Sequence, residues 1–171
     1  MTICTKGRLL YFWHIENEEL VLNDYWNLIQ DFVKDIPKHF LFADIDAFII
    51  IPNHIHAIII IRENTSSVGN ADLRSLHDET MFQDRTKMQL SKIIHGFKSS
   101  FTREIRKDYG DYEFAWQKSF YDVIIRNEEQ LQKSRQYILD NPKNWEKWCE
   151  LWKINLACAK YATVHFSLQS S

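Results

Sequence analysis

Between Phe40 and Arg62 the chain carries two almost uninterrupted apolar runs separated by a single Pro-Asn pair, and few architectures accommodate that. Phe42, Ile45 and Ile49-Ile50-Ile51 lead into Pro52-Asn53, and His54-Ile55-His56-Ala57 followed by four isoleucines leads away. β-Branched and aromatic residues at this density favour strands, and Pro-Asn is a turn signal. Phe40 to Ile51 and His54 to Arg62 are therefore predicted to form a hairpin. Strands so continuously apolar are buried on both faces or nearly so, which requires a covered sheet. The most apolar window, Ala47 to Ile61, is too short to span a bilayer and holds Pro52, Asn53, His54 and His56 at its middle. No membrane segment is expected.

The flanking sequence supplies the cover. Thr2 to Thr5 is a short strand candidate. Asn23 is placed to cap a helix carrying Trp26, Ile29, Phe32, Val33 and Ile36 on one side, with Pro37 closing it. Residues 63 to 85 are polar and are expected to be a loop. Met88 to Tyr109 has Leu90, Ile93, Ile94, Phe97, Phe101 and Ile105 at helical spacing. Ala115 to Arg126 is expected to be a further strand. Asn127 should cap a helix with Glu128 and Glu129 in its first turn, running through Leu131 and Ile138 and stopping at Asn141-Pro142. Trp145 to Phe166 is expected to be another helix plus a tail. The order β-α-β-β-α-β-α predicts an α+β fold, a ferredoxin-like antiparallel sheet with helices packed on it.

Length and composition fit one folded domain: 171 residues, 45% hydrophobic and 26% charged. A net charge of −2 gives no global attraction to nucleic acid, so any DNA site must be a local basic patch. Three scattered cysteines (Cys4, Cys149, Cys158) without a CxxC pair, and no secretory leader, point to reduced thiols in a cytoplasm.

His54 and His56 are two apart on one strand, so both imidazoles project from the same face. Side by side after a turn, they make half of a divalent metal site. Two incidental histidines in an apolar hairpin are the alternative, although burying unpaired polar rings costs roughly 1–3 kcal/mol each. The late helix carries Tyr137 and Asn141 four apart, on one face and a turn from each other. The amide oxygen suits a hard cation, and the phenol is a competent nucleophile towards phosphorus. A core tyrosine and a helix-stopping asparagine explain the same pair without chemistry.

Taken together, Phe48-Ile49-Ile50-Ile51-Pro52-Asn53-His54-Ile55-His56-Ala57-Ile58 resembles the signature of the REP-associated tyrosine transposases, relatives of the smallest insertion-sequence transposases. Three further stretches match in order: His95-Gly96-Phe97-Lys98-Ser99, Trp116 to Asp122 leading into Ile124-Ile125-Arg126, and Tyr137-Ile138-Leu139-Asp140-Asn141-Pro142. The resemblance covers Thr2 to Trp145, with residues 1–148 as the transposase-like domain and 149–171 as a tail or extra helix outside it. It implies an HUH endonuclease fold. His54, His56 and Asn141 would hold Mg2+ or Mn2+, and Tyr137 would be the nucleophile that cuts and rejoins single-stranded DNA at hairpins through a 5′-phosphotyrosine. Tyr121 sits in a matching motif too and ranks second. Lys92, Lys98, Arg103 and Arg126 are the candidate DNA contacts. A bacterial cytoplasmic protein on the nucleoid is implied, with monomer and homodimer both open.

The chain departs from the family in two places. It starts at the first strand, where relatives usually carry an Arg-rich segment, and Val123 stands where the family has His. A hairpin-binding protein that no longer cuts is thus the first alternative. The second is a small-molecule metalloprotein with a closed apolar pocket, and the third is a relaxase-type or replication-initiator nickase.

Overall fold

The computed structural model describes residues 1–16, 19–62, 78–151 and 165–166. Its elements in chain order are β1 (Thr2–Cys4), a 3-10 turn at Lys6–Arg8, β2 (Trp13–Glu16), β3 (Glu19–Leu22), α1 (Asp24–Lys34), α2 (Ile36–His39), β4 (Ala43–Ile51), β5 (His54–Ile61), α3 (Asp78–Tyr109), α4 (Glu128–Leu151) and β6 (His165–Phe166).

The expected hairpin is the centre of the main sheet. β4 and β5 pair antiparallel from Ala43↔Ile61 to Ile51↔His54, turning at Pro52-Asn53. β1 joins the other side of β5, with Thr2↔His56, Ile3↔Ile55 and Cys4↔His54 opposite each other. The segment expected to be a strand from Ala115 to Arg126 touches the outer edge of β1 only at two antiparallel bridges, Thr2↔Tyr121 and Thr5↔Trp116. Counting it as the last strand, the spatial order is last, first, third, second, the βαββαβ arrangement of a ferredoxin-like sheet. The α+β class and antiparallel sheet follow. β6 pairs with the free edge of β4 through Ala47↔Phe166 and Phe48↔His165.

Several boundaries differ from expectation for physical reasons. Pro37 does not end the first helix; the chain bends at Asp35 and makes the short α2, with Pro37 near its start, where a missing N–H costs little. α3 begins at Asp78, so the second part of the expected 63–85 loop is helical, and residues 63–77 lie outside the described set. α4 does not stop at Asn141-Pro142. It continues to Leu151, across the expected 148/149 boundary. A proline withholds one N–H from the carbonyl four residues back, and the helix is bonded on both sides of that gap. The small β2–β3 hairpin was not expected at all; it pairs Trp13↔Leu22 through Glu16↔Glu19. Both asparagine caps form as expected. Asn23 Oδ1 accepts from the Trp26 amide at 3.0 Å, and Asn127 Oδ1 from the Gln130 amide at 2.9 Å.

The core explains the apolar runs. β4 is buried along almost its whole length, with α1 and α2 packed on it as well as α4. β5 alternates at its start: Ile55 and Ala57 are sealed, while His54 and His56 are half-buried on the other face. Gly96 lets α3 approach closely, since a Cβ there would lie 3.1 Å from the Phe40 ring. Among the described residues no helix is long and apolar enough to cross a membrane.

Candidate functional site

The turn that presents His54 is tied down from two sides. The Pro52 carbonyl accepts from the Tyr11 and Phe12 amides at 2.9 and 3.1 Å, and the Asn53 carbonyl accepts from the Thr5 amide at 2.9 Å. Asn53 Nδ2 donates to the Arg8 carbonyl at 3.3 Å, which leaves its Oδ1 facing His54 Nδ1 at 2.6 Å. An amide oxygen only accepts, so His54 carries its proton on Nδ1 and its lone pair on Nε2. On the next rung, His56 Nδ1 meets the Thr2 hydroxyl at 2.8 Å. Outer partners of this kind fix the tautomer and orientation of metal-binding histidines. Sequence reading treated Asn53 as a turn residue and Thr2 as a strand residue; only the cross-strand register of β1 and β5 shows their second role.

The two rings stand at 89° with their Nε2 atoms 3.0 Å apart. A cation with bonds of about 2.1 Å at right angles places neighbouring donors on the order of 3.0 Å apart, so the pair fits two adjacent corners of an octahedral ion. Without an ion, the contact is satisfied only when the Thr2 hydroxyl donates to His56 Nδ1 and His56 Nε2–H donates to His54. Burial pushes the His54 pKa down to about 4, with the Arg8 guanidinium adding to the effect. Burial pushes His56 down to about 3, helped by His54 and the N-terminal ammonium. Both rings are neutral near pH 7, the form that binds metal. Arg8, which the sequence reading did not single out, thereby enters the site as a nearby cation.

Tyr137 is the residue of α4 that reaches this pair. Its ring meets that of His56 edge-on, centroids 5.2 Å apart, while the side chain stays 53% exposed. Asn141 lies one turn further along α4 and is buried. Among the described residues no three His, Cys, Asp or Glu side chains cluster.

A groove of about 260 Å³ is lined by His56, Tyr137 and Ile138 together with Thr2, Tyr121 and Val123. Tyr121 therefore shares the groove with Tyr137, but it belongs to the segment bridged to Thr2, and Thr2 pairs with His56. That puts its backbone two strand spacings, on the order of 10 Å, from the histidine strand.

Of the four candidate DNA contacts, Lys98 and Arg103 share a groove and Arg126 and Lys92 lie outside it. Arg103 lines a second, larger groove of about 710 Å³ together with Lys98, Arg106, Lys118, Trp116 and Phe120. Lys98 also serves the fold, donating to the Gln117 carbonyl at 2.8 Å and the Ser119 carbonyl at 3.2 Å. Arg126 is exposed and lines a third groove, and Lys92 is exposed on α3 and lines none of the three.

A sheet hairpin with paired histidines, met by a helix bearing a tyrosine, defines a class, and comparison with known proteins names it. The family described as IS200-like transposase matches residues 60–141, a stretch that includes Tyr137 and Asn141 and begins after His56. An uncharacterized protein of Haemophilus influenzae is 35% identical over 147 residues, 86% of this chain and 81% of its own length. A second protein of that organism, provisionally named a REP-associated tyrosine transposase, is 29% identical over 140 residues, 81% of this chain and 72% of its own. A solved REP-associated tyrosine transposase bound to a REP hairpin is similar over 84% of this chain, at 17% identity and a TM-score of 0.47; this chain spans 65% of that one. Residues 60–141 thus belong to the IS200-like transposase family, and most of the chain is similar to a protein named as a REP-associated tyrosine transposase.

Proposed function

We propose that this protein cuts and rejoins single-stranded DNA at hairpins, with Tyr137 as the nucleophile and His54, His56 and Asn141 as the holders of a divalent cation, Mg2+ or Mn2+. The observation that carries this is the edge-on contact between an exposed phenol on α4 and His56 of the neutral histidine pair on β5. The cation, when bound, would polarise the scissile phosphate as a Lewis acid.

The protein's own groups do the rest. The Tyr137 Oη–H bond breaks, an Oη–phosphorus bond forms, and the bond from phosphorus to the 3′-oxygen breaks, so the strand leaves with a protonated 3′-hydroxyl and a 5′-phosphotyrosine remains. Reversal by a 3′-hydroxyl rejoins the strand without an outside energy source. Packing against His56 limits the arc the phenol can sweep, which favours in-line attack on a phosphate held at the histidines. Arg8, whose charge is felt at His54, would help offset phosphate charge, and Arg103 with Arg106 and Lys118 lines a groove suited to the DNA backbone. The solved relative is bound to a REP hairpin, which makes such a hairpin the substrate to try first.

Incubation with a single-stranded REP-type hairpin and Mn2+ should give a slow-migrating covalent adduct on denaturing gels. Tyr137→Phe should abolish it and Tyr121→Phe should leave it. Hairpin binding with no adduct under any divalent cation would replace nuclease by a binding role.

A further inference from the structure

Asp46 is an acid in the most buried strand of the sheet, and nothing in the chemistry above uses it. β4 and β5 slip register between Ile45 and Ala47, so Asp46 is the extra residue of a β-bulge. Bulges bend a strand and re-aim a side chain. Here the carboxylate, 6% exposed, reaches α4 and receives both Nε and Nη2 of Arg135, the first at 2.8 Å. A forked guanidinium–carboxylate pair fixes orientation as well as distance.

We infer that the Asp46–Arg135 pair is the positioning device that sets the roll of α4 about its own axis and so delivers Tyr137 to the histidines. The inference rests on Tyr137 being the nucleophile. At about 100° per residue, Leu131 and Ile138 share one stripe of α4, with Arg135 on one flank and Tyr137 on the other. Ile138 is buried and Leu131 half-buried, so this stripe faces the protein. An apolar stripe resists lifting and leaves rolling cheap, because dispersion contacts are non-directional. The ion pair is directional and pins one flank. Since a phenol oxygen lies roughly 8 Å from the helix axis, a roll of about 10° moves it on the order of 1 Å. Misplacement by that much costs up to about 100-fold in rate.

Removing Arg135 alone takes the forked partner from a buried carboxylate and endangers folding, so the decisive variant is the apolar pair Asp46→Leu/Arg135→Met, a replacement that buried ion pairs often tolerate. Arg135→Lys, which keeps the charge and loses the fork, is its companion. Four properties of the full chain are measured: adduct formation with a single-stranded DNA hairpin and Mn2+ at saturating DNA, hairpin affinity, melting temperature, and the NMR cross-peak between the His56 and Tyr137 rings. Expected in both variants is an adduct rate lower by about 10- to 100-fold with hairpin affinity and melting temperature unchanged, and a weakened cross-peak. Wild-type rate and cross-peak in the apolar variant overturn the inference, as does a rate loss that only follows a drop in melting temperature. If wild type forms no adduct, the nuclease account falls, and the ring cross-peak still decides whether the pair orients α4.

Discussion

The two halves of the candidate site are held in place by different physics. On the histidine side, β5 lies between β1 and β4, its turn is hydrogen-bonded to residues 5, 11 and 12, and Ile55 and Ala57 anchor it from the opposite face. On the tyrosine side, the described part of α4 meets the sheet through an apolar stripe and the Arg135–Asp46 ion pair, and Tyr137 itself is half open to solvent. The geometry of the candidate ligands is thus inherited from the hydrophobic core, and that of the candidate nucleophile leans on polar contacts of α4. Damage on the first side should unfold the protein or empty the site. Damage on the second should leave a folded protein that binds without cutting.

The largest effect expected is from His56→Ala, which removes a candidate ligand and the ring that Tyr137 packs on. Adduct yield should fall below detection, with circular dichroism near wild type, since His56 is only half-buried. Next comes Ile55→Ala, beneath the histidines and fully buried. Chemical denaturation should show a loss of about 2–5 kcal/mol, the range for deleting a large aliphatic side chain in a core. A smaller change would mean that the turn, rather than the core, fixes the histidine side.

Asn53→Ala tests the outer partner. It should weaken Mn2+ binding about 10- to 100-fold by calorimetry while leaving the fold intact, because it frees the His54 ring and tautomer. Unaltered affinity would show that the Asn53 contact does not orient the ring.

The smallest effect is in pH. The folded-state values of His54 and His56 lie below the ordinary 6.5, near about 4 and about 3. Between those values and 6.5 the unfolded chain binds more protons than the folded one, so stability falls as pH drops through that window and is flat, for these groups, above it. Replacing both histidines with glutamine should flatten the slope of melting temperature against pH between 6.5 and 4. A slope unchanged by that replacement would locate the acid sensitivity elsewhere.

Much of this was legible in the chain. β-Branched density on either side of Pro52-Asn53 specifies the central hairpin, and the two-residue spacing places His54 and His56 on one face. The fourth residue after Tyr137 had to share its side of a helix. What stayed hidden depends on register. Thr2 and Asn53 become imidazole partners only because β1 aligns Thr2 with His56 and the turn directs Asn53 at His54. The bulge that turns Asp46 towards Arg135 leaves no local signal, and an acid in an apolar strand could equally face solvent at an edge. The β2–β3 hairpin escaped because its strands are only four residues long and meet at the acidic Glu16-Asn17-Glu18-Glu19.

The central claim is that a phenol from α4 and two imidazoles from β5 act on one phosphate. Peptide mapping by mass spectrometry of the covalent DNA–protein product, formed on a single-stranded hairpin with Mn2+, tests it most directly. The nucleotide should be found on the peptide containing Tyr137 and be absent from that containing Tyr121. Attachment at Tyr121 or at any residue outside the groove would contradict the account.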